Sequence, residues 1–329
     1  MIKFLRRNQQ FFIFFIFLYC AVAVFSIYFT QPFSKFTLQP FHFPFFMDLY
    51  LVELTNNKLY LVFALVVYIT LLVAGFYLVR IGISNMIITR RSQFSALFLI
   101  SISTLAFRYE IFSGISIAAI FLLFAIDRLI GSVEKKGRSY RFLDAGLILA
   151  LGSLFYFNLI FLIPFLWIAQ WLLRPLSWRE LSYTVFGLVL PVIYLLAGSY
   201  LLDQPFGSTL QYLKDWVMLR KVLEPGWHLL AGIGLYVLSL LIASLFAIRK
   251  FNVTKIQTRK LYQLFFFLFL NIVLILLIIP STGLEILFLF AIPSSIVLSI
   301  YFTDCRPGFF NGVLFLLLIL SPVLINLLI

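Results

Sequence analysis

Hydrophobic residues run along this chain in long blocks separated by short polar stretches. Eleven blocks stand out, at about 11–30, 59–79, 94–107, 111–126, 142–157, 159–173, 182–201, 227–248, 261–279, 284–301 and 308–328. About 20 apolar residues form a helix that crosses the hydrocarbon core of a bilayer. The pattern therefore predicts an all-α polytopic membrane protein with about eleven transmembrane helices. Strands that alternate apolar and polar positions are absent from the pattern, which argues against an outer-membrane barrel. The block Phe94–Phe107 is short for a span. The run Phe142–Leu173 is broken by Gly152-Ser153, Asn158 and Pro164. Short or broken helices persist at membrane depth only where other helices cover them. Residues 94–173 are thus expected inside the bundle, lining any cavity it has.

Composition sharpens this. Apolar types make up 63% of the 329 residues and charged types 11%, against about half and a quarter in soluble domains. The mean hydropathy is +1.09. These values exclude a water-soluble globule, a disordered chain and a coiled coil. The net charge of +13 reads as topology. With the N-terminus inside, only Lys35, Lys58, Arg108, Lys214, Arg220 and Lys221 of the 25 basic residues fall outside. The others recur at every inner turn, which predicts N-in, C-out by the positive-inside rule. The basic inner face suits an anionic lipid surface, and nucleic acid is not expected as a partner. Arg141 and Arg174 flank the broken run, and both belong inside, so 142–173 fits a hairpin better than one kinked helix. The first block follows Lys3, Arg6 and Arg7 and has no small-x-small site at its end, so a retained helix is expected rather than a cleaved signal.

Residues 1–329 then form a single transmembrane domain with two sizeable outer loops. Loop 31–58 is aromatic and ends in a surface helix over Phe46–Leu54. Loop 202–226 mixes Leu213, Trp216 and Met218 with Lys214, Arg220 and Lys221, as an interfacial amphipathic helix does. Neither loop is long enough for a folded soluble domain.

Candidate chemistry is sparse. Arg108-Tyr109-Glu110 occupies a tight outer turn. Arg108 there is placed to hold a phosphate bidentately or to close the turn in an ion pair with Glu110. Asp48 and Glu53 share the first outer loop with His42. A carboxylate above the membrane is able to deprotonate an acceptor hydroxyl, and the competing role is that of a surface helix. His42, His228 and Asp48 would hold a metal only if folding united them. Lys214, Arg220 and Lys221 are the candidates for contact with lipid phosphate. Asp127, Arg128 and Asp144 sit at the inner boundary, where ion pairing is the expected role. Asn158 and Gln170 are expected to join helices by hydrogen bonds, and Cys20 and Cys305 to be unbridged thiols. Ser177 and Glu180 have the spacing of a capping box. No phosphate-binding glycine loop, HExxH, GxSxG or CxxC occurs.

An acid on the first outer loop (Asp48), a second on the loop between the third and fourth segments (Glu110), and a broken hairpin ending in Arg174-Pro175 resemble the plan of the GT-C superfamily of polyprenyl-phosphate-sugar glycosyltransferases. The likeness is one of topology and covers roughly the first 200 residues. That family often carries paired acids at the first place, whereas Asp48 stands before Leu49. Many members also have a C-terminal extracytoplasmic domain, whereas here the last residues are hydrophobic. The stretch from Arg141 to Leu196 is also similar to a family of uncharacterised bacterial multi-pass inner-membrane proteins, which implies a location and no activity.

Two roles lead. One is a non-catalytic inner-membrane subunit or scaffold of an envelope-biogenesis or protein-export complex, on a GT-C-like plan, with other membrane subunits and lipids as partners and no cofactor. The other is a glycosyltransferase with a polyprenyl-phosphate-linked donor. There Asp48 would be the base, Arg108 the phosphate clamp and Glu110 a metal or hydroxyl partner, so a divalent metal enters only with this second role. A lipid or small-molecule transporter is a third, and would need a polar path through the bundle. The topology is testable in whole cells. A membrane-impermeant thiol reagent is expected to label Ser208→Cys and to spare Ser177→Cys until the membrane is opened; the reverse pattern would overturn the orientation.

Overall fold

The computed structural model describes residues 8–30, 57–88, 92–105, 114–132, 140–174, 177–201, 226–251, 254–305 and 308–328. These form eleven α-helices: α1 (Gln9–Thr30), α2 (Asn57–Ser84), α3 (Phe94–Leu105), α4 (Ile115–Gly131), α5 (Tyr140–Ser153), α6 (Ile163–Leu173), α7 (Trp178–Leu201), α8 (Trp227–Phe251), α9 (Ile256–Ile278), α10 (Leu287–Asp304) and α11 (Phe309–Leu328). Short 3₁₀ turns at Phe157–Leu162 and Leu284–Ile286 lead into α6 and α10. Among the described residues there is no strand. Each hydrophobic block corresponds to a helix, with shifted ends. Helix α8, for example, runs on to Phe251 and carries Arg249 and Lys250 in its last turn, where cations oppose the negative end of the helix dipole.

Six helices are long and apolar enough to cross a membrane among the described residues, over Gln9–Ser26, Ala64–Ser84, Trp227–Lys250, Ile256–Ile278, Leu284–Asp304 and Phe309–Leu327. Eleven complete crossings were expected. Helices α3, α5 and α6 have 12, 14 and 11 residues. At 1.5 Å rise per residue these reach only about 17–21 Å, short of a core of about 30 Å. The run 140–174 is a hairpin. A Cβ on Gly131, at the end of α4, would strike the Arg141 guanidinium, and Arg174 donates to the carbonyl of Ser132 next door. Both ends of the run thus return to one end of α4.

Helix α3 stands at the centre. All twelve of its residues are buried. Phe94 and Phe98 pack with Phe12 of α1, Phe302 of α10 and Phe315 of α11 at centroid distances of 5.0–6.3 Å. Gly75 of α2 lets that helix approach closely, since a Cβ there would lie 3.2 Å from Ala96 Cβ. Burial against lipid tails gains nothing for an apolar helix, so close packing and hydrogen bonds hold such a bundle together. Tyr19 OH lies 3.0 Å from both Ser101 Oγ and the Ile319 carbonyl. Ser101 Oγ donates to the Leu318 carbonyl at 3.0 Å, and Tyr236 of α8 donates to the same oxygen. That oxygen is open because Pro322, four residues on, has no N–H to offer it. At the end of α3, Asn326 donates to the Thr104 carbonyl at 3.2 Å, satisfying a terminal group the helix leaves open.

Helices α5 and α7 cross at backbone contact. A Cβ on Gly146 would lie 2.5 Å from the Thr184 carbonyl, and one on Gly187 would lie 2.8 Å from Leu147 N and strike the Leu143 carbonyl. Gly187→Leu is therefore expected to destabilise the detergent-purified protein by on the order of 1–3 kcal/mol, seen as a lower thermal midpoint. Gly312→Leu, with nothing within 4 Å of its Cβ, is expected to leave that midpoint unchanged.

Candidate functional site

The residues singled out for chemistry from the sequence lie outside the described residues: Asp48, Glu53 and His42 on the first outer loop, Arg108 and Glu110 between α3 and α4, and Lys214, Arg220 and Lys221 between α7 and α8. The surface helix over Phe46–Leu54 and the interfacial helix within 202–226 lie outside them too. His228 is half-buried, with its ring centroid 3.5 Å from that of Trp227. Among the described residues no three of His, Cys, Asp and Glu come together as a metal site would require.

The structure instead brings out an acid that sequence reasoning passed over. Glu285, in the 3₁₀ turn before α10, is 0% exposed. A buried carboxyl in a membrane bundle is costly and points to a role. Its place at the start of α10 sets it at the positive end of that helix's dipole. Around it the hairpin tip between α5 and α6 meets the turn between α9 and α10. Ser281 Oγ donates to Asn158 Oδ1 at 3.2 Å, Asn158 Nδ2 donates to the Tyr156 hydroxyl at 3.2 Å, and Tyr156 OH donates to Glu285 Oε1 at 3.3 Å. The four side chains are buried, and every donor in the series points toward the carboxylate. Such a series strengthens each of its members.

Local sequence explains why the tip reaches this place. Gly152 is hemmed in by Leu159 and Phe121, and a Cβ on it would lie 2.6 Å and 2.8 Å from them. Gly114, at the start of α4, lets that helix press on the tip; a Cβ there would lie 2.5 Å from the Phe155 carbonyl. Phe155 stacks on Phe121 of α4 at 5.5 Å. Thr282 closes the neighbouring turn by donating to the Ile279 carbonyl at 2.7 Å. The one signal in the sequence was an acid, Glu285, falling inside a block drawn as a span.

The other polar expectations resolve as follows. Gln170 of α6 donates to Thr184 of α7, and Asn158 joins the hairpin tip to Ser281, so both act between elements as expected. Asp127 accepts from Tyr77 of α2 at 2.9 Å in place of the expected ion pair at that boundary. Neighbours along a helix such as Asp127 and Arg128 do not face each other. Ser177 Oγ accepts from Glu180 N at 3.3 Å, and the Glu180 carboxylate lies 3.5 Å from Arg174. Cys20 and Cys305 are buried and form no disulfide.

Long apolar helices around a buried short one, with interior polar groups linked from helix to helix, define a polytopic helical membrane protein. The chain belongs to DUF6427, a family of unknown function whose model matches residues 41–327. No curated protein and no solved structure matches it.

The link between hairpin tip and Glu285 is open to a double-mutant cycle on Tyr156→Phe and Glu285→Gln. Their effects on stability are expected to be non-additive by about 0.5–1.5 kcal/mol; strictly additive effects would show that the hydrogen bond is not made.

Proposed function

We propose that the protein is a non-catalytic integral subunit or scaffold of an envelope-biogenesis or protein-export complex in the bacterial inner membrane. The observation that carries this is the filled centre of the bundle. Helix α3 is buried along its whole length, and Phe94, Phe98, Phe302 and Phe315 close the space around it. Transport through a bundle calls for a polar path with a binding site at mid-membrane; these phenylalanines, near the start of α3 and α11 and the end of α10, fill the end of the bundle through which such a path would have to open. A rigid bundle of this kind is suited to presenting its outer loops and lipid-facing helices to partner subunits. In this reading Lys214, Arg220 and Lys221 contact lipid headgroups, and the aromatic loop 31–58 is the docking surface.

One observation favours a second reading, a glycosyltransferase on a GT-C-like plan with a polyprenyl-phosphate-linked donor. Glu285 is buried with Tyr156 at the end of the bundle that the charge pattern places outside. That is the side on which Asp48, Arg108 and Glu110 would act, with a divalent metal if the reaction needs one.

Gentle purification from the native membrane, with identification of co-purifying chains, separates the two. A stoichiometric membrane partner is expected. Asp48→Asn and Glu110→Gln are expected to leave the cellular phenotype of the wild-type protein intact. Loss of function in either variant, with the protein still inserted at normal level, would favour the transferase.

A further inference from the structure

At the end of the bundle that the charge pattern places in the cytoplasm, α6 and α7 leave a groove of about 640 Å³ between them. Trp167, Trp171, Trp178, Val185 and Phe186 line it, and all five are exposed. The wall is apolar and aromatic. Ser182 adds a hydroxyl, already donated to the Trp178 carbonyl at 2.9 Å. Three of the chain's five tryptophans thus meet at one place, and indole rings favour the depth of lipid headgroups. The volume falls in the range of small-molecule sites.

The rim is basic. Arg141 lies against Gly131, Arg174 reaches the Ser132 carbonyl, and Lys260 donates to the Leu173 carbonyl at 3.3 Å. Glu180, the acid nearest in sequence, lies 3.5 Å from Arg174. Arg179 follows Trp178 at the start of α7 and is exposed. Its Nε donates to the Tyr183 hydroxyl at 2.8 Å, and its guanidinium lies 5.5 Å from the centre of that ring. Tyr183 thus steadies the side chain through Nε and leaves the Nη fork, the part of arginine that grips a phosphate.

We propose that this groove binds an anionic phospholipid, with an acyl chain along Trp167, Trp171 and Phe186 and the phosphate at Arg179. Charge decides between occupants. An apolar helix of another protein would match the wall but give the Arg179 guanidinium no anionic partner, whereas an anionic lipid matches both. Basic pockets between helices on the cytoplasmic side hold anionic headgroups in the same way.

Tryptophan quenching tests this on the full chain with Trp216→Phe and Trp227→Phe, which leave only the three groove indoles. The protein is reconstituted in phosphatidylcholine vesicles containing a minor fraction of brominated phosphatidylglycerol or, in parallel, the same fraction of brominated phosphatidylcholine. The brominated anionic lipid is expected to quench with about fivefold greater affinity, as one basic contact at the membrane surface provides. Arg179→Gln is expected to abolish that preference. Arg249→Gln, in the last turn of α8, is expected to keep it. Equal quenching by the two lipids would overturn the proposal, as would a preference that survives Arg179→Gln. So would an equal loss in both arginine variants, which indicates general surface attraction, or shielding of the indoles from both lipids by a co-purified protein.

Discussion

The structure depends on burying a helix too short to cross the membrane. Helix α3 has 12 residues, about 18 Å, so within a core of about 30 Å at least one backbone end falls where lipid offers no hydrogen bonds. An open carbonyl or amide in hydrocarbon costs several kcal/mol, so any such end of α3 must be covered by protein. Helices α1, α2, α10 and α11 do this with interlocking phenylalanines and small residues. Polar side chains meet near both ends: Ser92 bonds Thr303 at 3.0 Å just before α3, and Asn326 donates to the Thr104 carbonyl in its last turn. The filled centre follows from that requirement.

Irregular backbone is tolerated elsewhere for the same reason. Pro322 removes a hydrogen bond from α11, and the freed Leu318 carbonyl is taken by Ser101 and Tyr236. This turns a local break in one helix into a joint between three. The crossing of α5 and α7 works by another route. Gly146 and Gly187 let two backbones touch, and Gln170 and Thr184 add a hydrogen bond between α6 and α7 close by. The short hairpin α5–α6 is held at its inner end by Arg141 and Arg174 against α4, and at its tip by Phe155 and Tyr156.

The two ends of the bundle differ in chemistry. Where the hairpin tip meets the turn before α10, the buried carboxyl group of Glu285 stands at the end of three donors in series. The opposite end carries an exposed aromatic groove, with the exposed Arg179 next to Trp178. Glu285 ties the hairpin tip to the turn before α10 through Tyr156. The groove suits a ligand from the membrane itself. Membership in DUF6427 covers both places, since Tyr156, Glu285, Trp171 and Arg179 all lie within the matched residues.

Much of the fold was legible in the sequence. Hydropathy is a property of consecutive residues, so each block foretold a helix, and the basic residues on either side of 142–173 foretold the hairpin. The number of complete crossings was less legible, because a helix buried by its neighbours needs no span's length and leaves the same apolar pattern as one facing lipid. The candidate site was hardly legible. Asn158 and Gln170 stood out as polar residues in apolar runs, but Glu285, the second residue of a block drawn as a span, was passed over. Its partner Tyr156 is 129 positions away, and Trp171 and Trp178 line one groove only because α6 and α7 lie side by side. The sequence by itself determined which segments are helical and apolar. Which side chains meet across them was decided only by the tertiary structure, because the need to satisfy buried polar groups acts between segments far apart in the chain.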